Sequence, residues 1–197
     1  MASTASPYGL KPVNRVDGMA YAGAASQFLI DPAGYASNIF FGQVVRINAN
    51  GYINVVTTTG ADDSSNAFPA GTIGVFVGCQ YVNAQGQVIN SQYYPSGTTG
   101  VVTAYVVTDD RVAFQARLDG SVTQAALGAN TFFAAAQSSS TGSTQYGNST
   151  SALDATVQTT TAAFRIVGFA SPVSDAYPDV LVKFNPGYHS YSNAVGI

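Results

Sequence analysis

His189 is the only histidine of the 197-residue chain, so the search for chemistry starts there. It lies in a tyrosine-rich tail, NPGYHSYSN, two residues after Gly187. A Ser–His–Asp set needs an imidazole held by an acid and aimed at a nucleophile. No G-x-S-x-G turn offers such a nucleophile, and His189 reads as a surface or interface residue. The paired carboxylates Asp62-Asp63 and Asp109-Asp110 invite a calcium or glycosidase reading. Adjacent strand residues point to opposite faces, and calcium takes roughly 6–8 oxygens, usually from several alternating Asp and Asn. No such run occurs, and solvated turns account for both pairs. Cys79 is the only cysteine, which excludes an intrachain disulfide and a cysteine zinc site. Its setting, GVFVGCQYV, makes it a small buried hydrophobe. The glycines of GTIGVFVG alternate with strand residues and open no helix, so they cradle no phosphate. The expectation is a chain that is not an enzyme, with no catalytic, cofactor-binding or metal-ligating set and no cofactor.

The elements that carry these residues are strands. Charged residues make up 9% of the chain, against about a quarter in ordinary soluble domains. Glu is absent, and the only lysines are Lys11 and Lys183. Exposed helix faces are normally filled with Glu, Lys, Arg and Gln, whereas this chain is rich in Val, Thr, Tyr and Phe, punctuated by 20 glycines. The fold class is therefore mainly β: a compact antiparallel β-barrel or sandwich built from hairpins, with little helix. A net charge of −3 with scattered basic residues argues against a nucleic-acid partner. No stretch approaches a membrane span and the N-terminus carries no apolar signal core. Production in a reducing cytosol, or in something assembled there, is expected.

The stretch VVTAYVVT–DD–RVAFQARL, residues 101–118, reads as the central hairpin. Val112, Phe114, Ala116 and Leu118 alternate with Arg111, Ala113, Gln115 and Arg117, the period of a half-buried strand. The first arm is apolar on both faces, which suits a strand covered on two sides. GTIGVFVGCQYV (71–82) has the same two-sided character and is expected to be central. In QVVRIN–ANG–YINVV a three-residue loop segregates the faces, pairing Ile47 with Ile53 and Val45 with Val55, with Gly51 left-handed. The same design in YVNAQGQVI sets Val82 opposite Val88. Further strands are expected at 163–171 and 179–184, and only a helical turn within 121–136.

Two stretches fall outside this pattern. Residues 1–36 contain Pro7, Pro12 and Pro32 and apolar residues without a period, and read as an extended N-terminal arm on the single β domain of residues 37–197. An arm of this kind either pads the core of its own domain or docks on a neighbouring subunit or another partner through Pro7, Tyr8, Leu10, Pro12, Val13, Tyr21 and Phe28, and the second reading predicts a domain that folds without it. Residues 137–161 are dominated by Ser, Thr, Gly and Asn and read as a long loop excursion or loosely paired ribbon. The aromatic tail, with Tyr177, Tyr188 and Tyr191, offers an oligomer interface, because apolar surface beyond what one sheet needs marks association.

The blocks ASPYGLKPVN, YAGAASQFLI, YASNIFFGQVV, GVFVGCQY, SQYYPSG, AYVV…FQ and DVLVKFN, spread over nearly the whole chain, give a resemblance to virion proteins. The chain resembles head structural proteins of tailed bacteriophages of marine and cyanobacterial hosts, of the capsid decoration (cement) type. The resemblance implies a β-rich subunit, a homotrimer over three-fold positions, and an arm gripping the major capsid protein on the capsid exterior of a virion assembled in the host cytoplasm. A fibre or tube component and a carbohydrate-binding host-recognition module are the alternatives. The last would stack sugars on Tyr93, Tyr94, Tyr188 and Tyr191.

Overall fold

Two antiparallel sheets build the protein in the computed structural model, which describes residues 5–58 and 68–193. The strands in chain order are β1 (Lys11–Arg15), β2 (Ser26–Ile30), β3 (Val44–Ile47), β4 (Ile53–Val55), β5 (Thr72–Val82) and β6 (Val88–Ser91). They continue as β7 (Val102–Val107), β8 (Val112–Arg117), β9 (Asn130–Thr131), β10 (Phe164–Phe169) and β11 (Asp179–Phe184). Helix among the described residues is confined to two single 3-10 turns, Gln124–Ala126 and Ser190–Ser192. A five-stranded sheet runs β1-β8-β11-β10-β9, and a six-stranded sheet runs β2-β7-β5-β3-β4 with β6 also on β5. The mainly β expectation holds, in its sandwich form.

Two cores explain the strands that are apolar on both faces. The larger lies between the sheets and is rich in aromatic rings: Phe68, Phe114, Phe132, Phe133, Phe164, Phe184 and Tyr188. Phe68 comes from a segment that looks like pure loop in sequence, yet its ring meets Phe164 edge-on at 5.6 Å and Tyr188 at 6.0 Å. The second core lies on the opposite face of the six-stranded sheet, where Val45, Ile53, Phe76, Ala104 and Val106 pack with Ile30, Ile39 and Tyr94. β5 and β7 thus run between two apolar layers, which requires the double-sided sequence they carry.

β5 serves both cores by slipping register twice. Opposite β3 its pairing passes over Ile73, and opposite β7 it passes over Val77. A bulge of this kind moves the following side chain to the other face. Ile73, Phe76 and Cys79 consequently enter the second core, while Val75 and Val77 face the first. Gly74 and Gly78 stand beside the slips with φ of 145° and 141°. A Cβ on Gly74 would fall 1.9 Å from the Val107 carbonyl oxygen. Both three-residue turns form as expected. Ile47 pairs with Ile53 and Val45 with Val55, Gly51 has φ 82°, and Val82 pairs with Val88.

Two expectations are corrected. Residues 101–118 are not a hairpin, because β7 and β8 lie in different sheets. The Asp109-Asp110 corner carries the chain across, held by Arg111 N–H donating to Asp109 Oδ1 at 2.9 Å and by an Arg15–Asp109 ion pair. The edges that the two arms would have offered each other are filled by other strands: β2 and β5 flank β7, and β1 and β11 flank β8.

The N-terminal segment is likewise no separate arm. Residues 11–15 and 26–30 are β1 and β2 themselves, Leu10 is fully buried in the first core, and Ile30 in the second. Pro12 is tolerated because β1 is an edge strand whose register slips just after it.

The Ser/Thr-rich stretch is a strap, tied by isolated bridges of Asn148 to Phe41, Leu153 to Leu118 and Phe133, and Gln158 to Asn130. Buried polar side chains fasten it. Gln43 Nε2 donates to the Ser138 carbonyl at 3.0 Å, Ser151 Oγ donates to Gln137 Oε1, and Thr131 Oγ1 donates to the Asp154 carbonyl at 2.7 Å.

Deleting residues 2–30 should therefore unfold the protein. Leu10 and Ile30 alone represent about 3–6 kcal/mol of burial, a large part of the ~5–15 kcal/mol that holds a domain together. Loss of the cooperative thermal transition in circular dichroism is the expected result. At the glycines, Gly51→Ala costs only left-handed backbone, since nothing lies within 4 Å of its would-be Cβ, while Gly74→Ala also drives a methyl into a carbonyl. Urea unfolding should show about 1 kcal/mol lost at Gly51 and on the order of 3 kcal/mol at Gly74. Equal losses would mean that β5 and Val107 do not approach so closely.

Candidate functional site

The six-stranded sheet is longer than the sheet packed on it. β5 has 11 residues, whereas β8 and β11 have 6 each. Beyond the covered part, the face that elsewhere meets the first core is open. Paired residues share a face, so the registers place Leu29, Thr103, Gln80 and Asn90 in one cross-strand row. Two residues further along each strand come Val101, Val82 and Val88. These are large apolar side chains on the outside: Val101 is 72% exposed, Val88 62%, Val82 52% and Leu29 48%. On β2 the place opposite Val101 falls to Asp31, a charge that borders the valines at that edge, and Gln27 and Tyr105 continue the face toward the covered part.

A cleft of about 450 Å³ opens where the two sheets diverge, lined by Tyr8, Lys11, Phe41, Gln92, Gln115 and Asn148. A second hollow shares Phe41 and Gln92 and runs past Gly78, Asn90 and Tyr105 toward the valine row. Backbone bonds fix the walls. Gly9 N–H donates to the Ser151 carbonyl at 3.1 Å, Leu10 N–H to the Gly42 carbonyl at 2.9 Å, and Phe41 N–H to the Gly147 carbonyl at 3.0 Å. Gly9 has φ 77° and a Cβ there would meet Ser149 at 2.6 Å, so the chain can turn into the cleft only as glycine.

One ion pair stands behind two of the lining side chains, Gln115 and Tyr8. Arg117 donates through Nε to Asp179 Oδ1 at 2.9 Å and through Nη2 to Oδ2 at 3.3 Å, and Gln115 Nε2 donates to the same carboxylate at 3.1 Å. The bonds to Asp179 raise the Arg117 pKa above its ordinary value. The Arg117 guanidinium also lies 5.8 Å from the centre of the Tyr8 ring. The Tyr8 hydroxyl is buried and reaches no hydrogen bond of ordinary geometry. Burial first, and the Asp179 charge second, push its pKa up, so Tyr8 is a neutral phenol at any physiological pH.

The structure scatters the residues expected to bind a partner. Leu10 is core, Tyr21 packs against the first core and Phe28 against the second. Pro7, Pro12 and Val13 are half-buried along β1 and its approach, and only Tyr8 faces the cleft. Of the expected interface tyrosines, Tyr188 is buried among Phe68 and Phe132, Tyr177 is half-buried, and Tyr191 is exposed. Tyr94 is also buried, which removes it and Tyr188 from any sugar-stacking platform. The valine row was open to sequence reasoning: Val82 and Val88 alternate in phase with Gln80 and Asn90, on the polar side of their hairpin. The cleft was not, since its six side chains come from five distant parts of the chain.

The expectation of a surface His189 is also corrected. The imidazole is buried against Phe184, with ring centres 5.5 Å apart, and Nδ1 accepts from Tyr191 N–H at 3.3 Å. Nε2 makes no hydrogen bond of ordinary geometry. Cys79 is a buried thiol, pushed up to about 12 by desolvation. Among the described residues no group of three or more His, Cys, Asp or Glu could hold a metal ion, and no helix is long and apolar enough to cross a membrane. The Asp62-Asp63 pair lies outside the described residues. Comparison with known proteins finds no matching family model, no matching curated protein and no matching solved structure.

Burial lowers the His189 pKa, against smaller raising effects of the Ile73 backbone and the Asp110 and Asp109 charges. The unfolded chain then binds a proton that the folded chain refuses, so stability is full above the unfolded value, about 6.5, and falls as pH drops below it. Denaturant unfolding at pH 7.5 and 5.5 should show a loss on acidification that shrinks in His189→Phe. An identical loss in both proteins would remove His189 as the cause.

Proposed function

We propose that this chain is a structural virion protein that binds the outside of a phage capsid and cements the coat-protein shell, acting as an oligomer. The observation that supports this reading is the open valine row. Val101, Val82 and Val88, with Leu29 beside them, form an apolar patch rimmed by Gln27, Gln80, Asn90 and Thr103, with Asp31 at its β2 edge. Depletion of charge at the centre and polar groups at the rim are the anatomy of a protein–protein contact. A flat sheet face also suits a smooth protein shell better than a peptide or a small molecule, which require a groove.

In this reading the rigid double-core sandwich serves as a clamp. Ligation to the assembled shell alone would raise the shell's stability by mass action, with no chemistry asked of any side chain. Self-association fits a surface with so few charges, because closed symmetric oligomers are the common outcome for self-complementary patches. A trimer follows from the sequence resemblance alone.

Purified protein should co-sediment with expanded capsids stripped of accessory proteins, and Val82→Asp with Val88→Asp should abolish this while leaving the melting transition in place. Undiminished binding by the double variant would remove the valine row from the contact. Light scattering during size exclusion should give a multiple of 20.3 kDa for the free protein, and a clean monomer would confine oligomerisation to the shell.

A further inference from the structure

The cleft between Tyr8 and Asn148 has a chemistry that shell binding leaves unused. Its volume of about 450 Å³ lies within the range of small-ligand sites. Two aromatic rings, three amides and one ammonium line it. Gln92 Nε2 donates to Asn148 Oδ1, which leaves Gln92 Oε1 and Asn148 Nδ2 as an acceptor and a donor side by side. Gln115 commits its Nε2 to Asp179 and keeps its Oε1. Adjacent donor and acceptor sites match vicinal hydroxyls, each of which both gives and takes a hydrogen bond.

The charge balance adds a second requirement. Asp179 is matched by Arg117, whereas Lys11, on the exposed rim, makes no ion pair among the described residues. The cleft therefore carries one net positive charge at one end. A peptide is the poorer match. An extended peptide seeks the free backbone groups of a sheet edge, and of the strands lining the cleft only β1, which supplies Lys11, has one, since β8, which supplies Gln115, is hydrogen-bonded on both sides to β1 and β11.

From these features we propose that the cleft is a saccharide site for a pyranose bearing a carboxylate, with the acid on Lys11, hydroxyls on Gln92, Asn148 and Gln115, and the ring against Tyr8 or Phe41. Such a site would let a shell-bound protein hold acidic glycans, and it does not depend on the shell reading being correct.

Saturation-transfer NMR and calorimetry of the full chain with glucuronate-containing and neutral glucose oligosaccharides test it. The expected result is binding of the acidic sugar, about tenfold weaker binding of its neutral counterpart and a similar loss in Lys11→Gln. Gln92→Ala with Asn148→Ala should remove binding of both sugars without changing the melting transition, whereas Val82→Asp with Val88→Asp should leave it intact. No saturation transfer from either sugar at millimolar concentration would overturn the proposal, as would equal binding by the Gln92 and Asn148 variant. Tighter binding of an acidic peptide than of the acidic sugar would also overturn it and assign the cleft to protein.

Discussion

The central pair β5–β7 has to be apolar on both faces, and the rest of the molecule follows from that requirement. A strand pair of this kind cannot face water on either side, so each face needs its own cover. The five-stranded sheet supplies one cover, through Phe114, Phe164 and Phe184, and the segment from Ile30 to Ile39 with Tyr94 supplies the other. Both covers are recruited from sequence that looks peripheral. β2 closes the edge of β7, β1 closes the edge of β8, and residues 137–158 lie along the side where the sheets part. Edge strands and straps that would be ornaments on a helical protein are here what keeps two apolar layers dry.

Much of this was legible from residues alone. The turns at Asn48–Tyr52 and Asn83–Gln87 follow from segregation of faces, which has a single solution when one register mixes polar and apolar side chains and the other does not. Alternation in Val180, Val182 and Phe184 likewise allows only one inward face. The misreadings have physical causes of the same kind. Asp109-Asp110 turns the chain, but turn residues do not say whether the two arms pair with each other or part into separate sheets. That choice depends on which edges other strands fill, a non-local matter. The glycines of GTIGVFVG were visible, yet strand glycine marks a bulge as readily as it breaks a strand. The face carried by each residue of β5 could be settled only by its partners.

Residues 1–36 and 137–161 resisted a single reading for opposite reasons. The first lacks a period because its strands are short edge strands, one with a bulge, and Leu10 enters the core just ahead of β1. The second lacks apolar residues, yet it is held by Gln43, Gln137, Ser149 and Ser151, whose buried polar groups find partners within the strap and its neighbours. A buried amide or hydroxyl that is fully hydrogen-bonded costs little, whereas an unpaired one costs about 1–3 kcal/mol. Serine-rich composition therefore does not separate a solvated loop from a bonded strap. The cleft was hidden for a further reason, since Lys11 and Gln115 meet across β1 and β8 while Phe41, Gln92 and Asn148 arrive from loops.

Strand length links the fold to the surface that it leaves free. The sheet that covers β5 and β7 is built from strands about half the length of β5, so the far end of β5 and all of β6 extend past it. A soluble monomer would be expected to place polar side chains on that overhang, and Gln80, Asn90 and Thr103 follow this rule. Val82 and Val88 on adjacent strands, with Val101 just ahead of β7, break it in one row, at the end of the sheet. β-branched residues suit a pleated strand, which could account for one of the three. It does not account for an aligned set, because polar threonine meets the same backbone preference and already stands at position 103. The alignment is the feature on which the proposed partner contact rests.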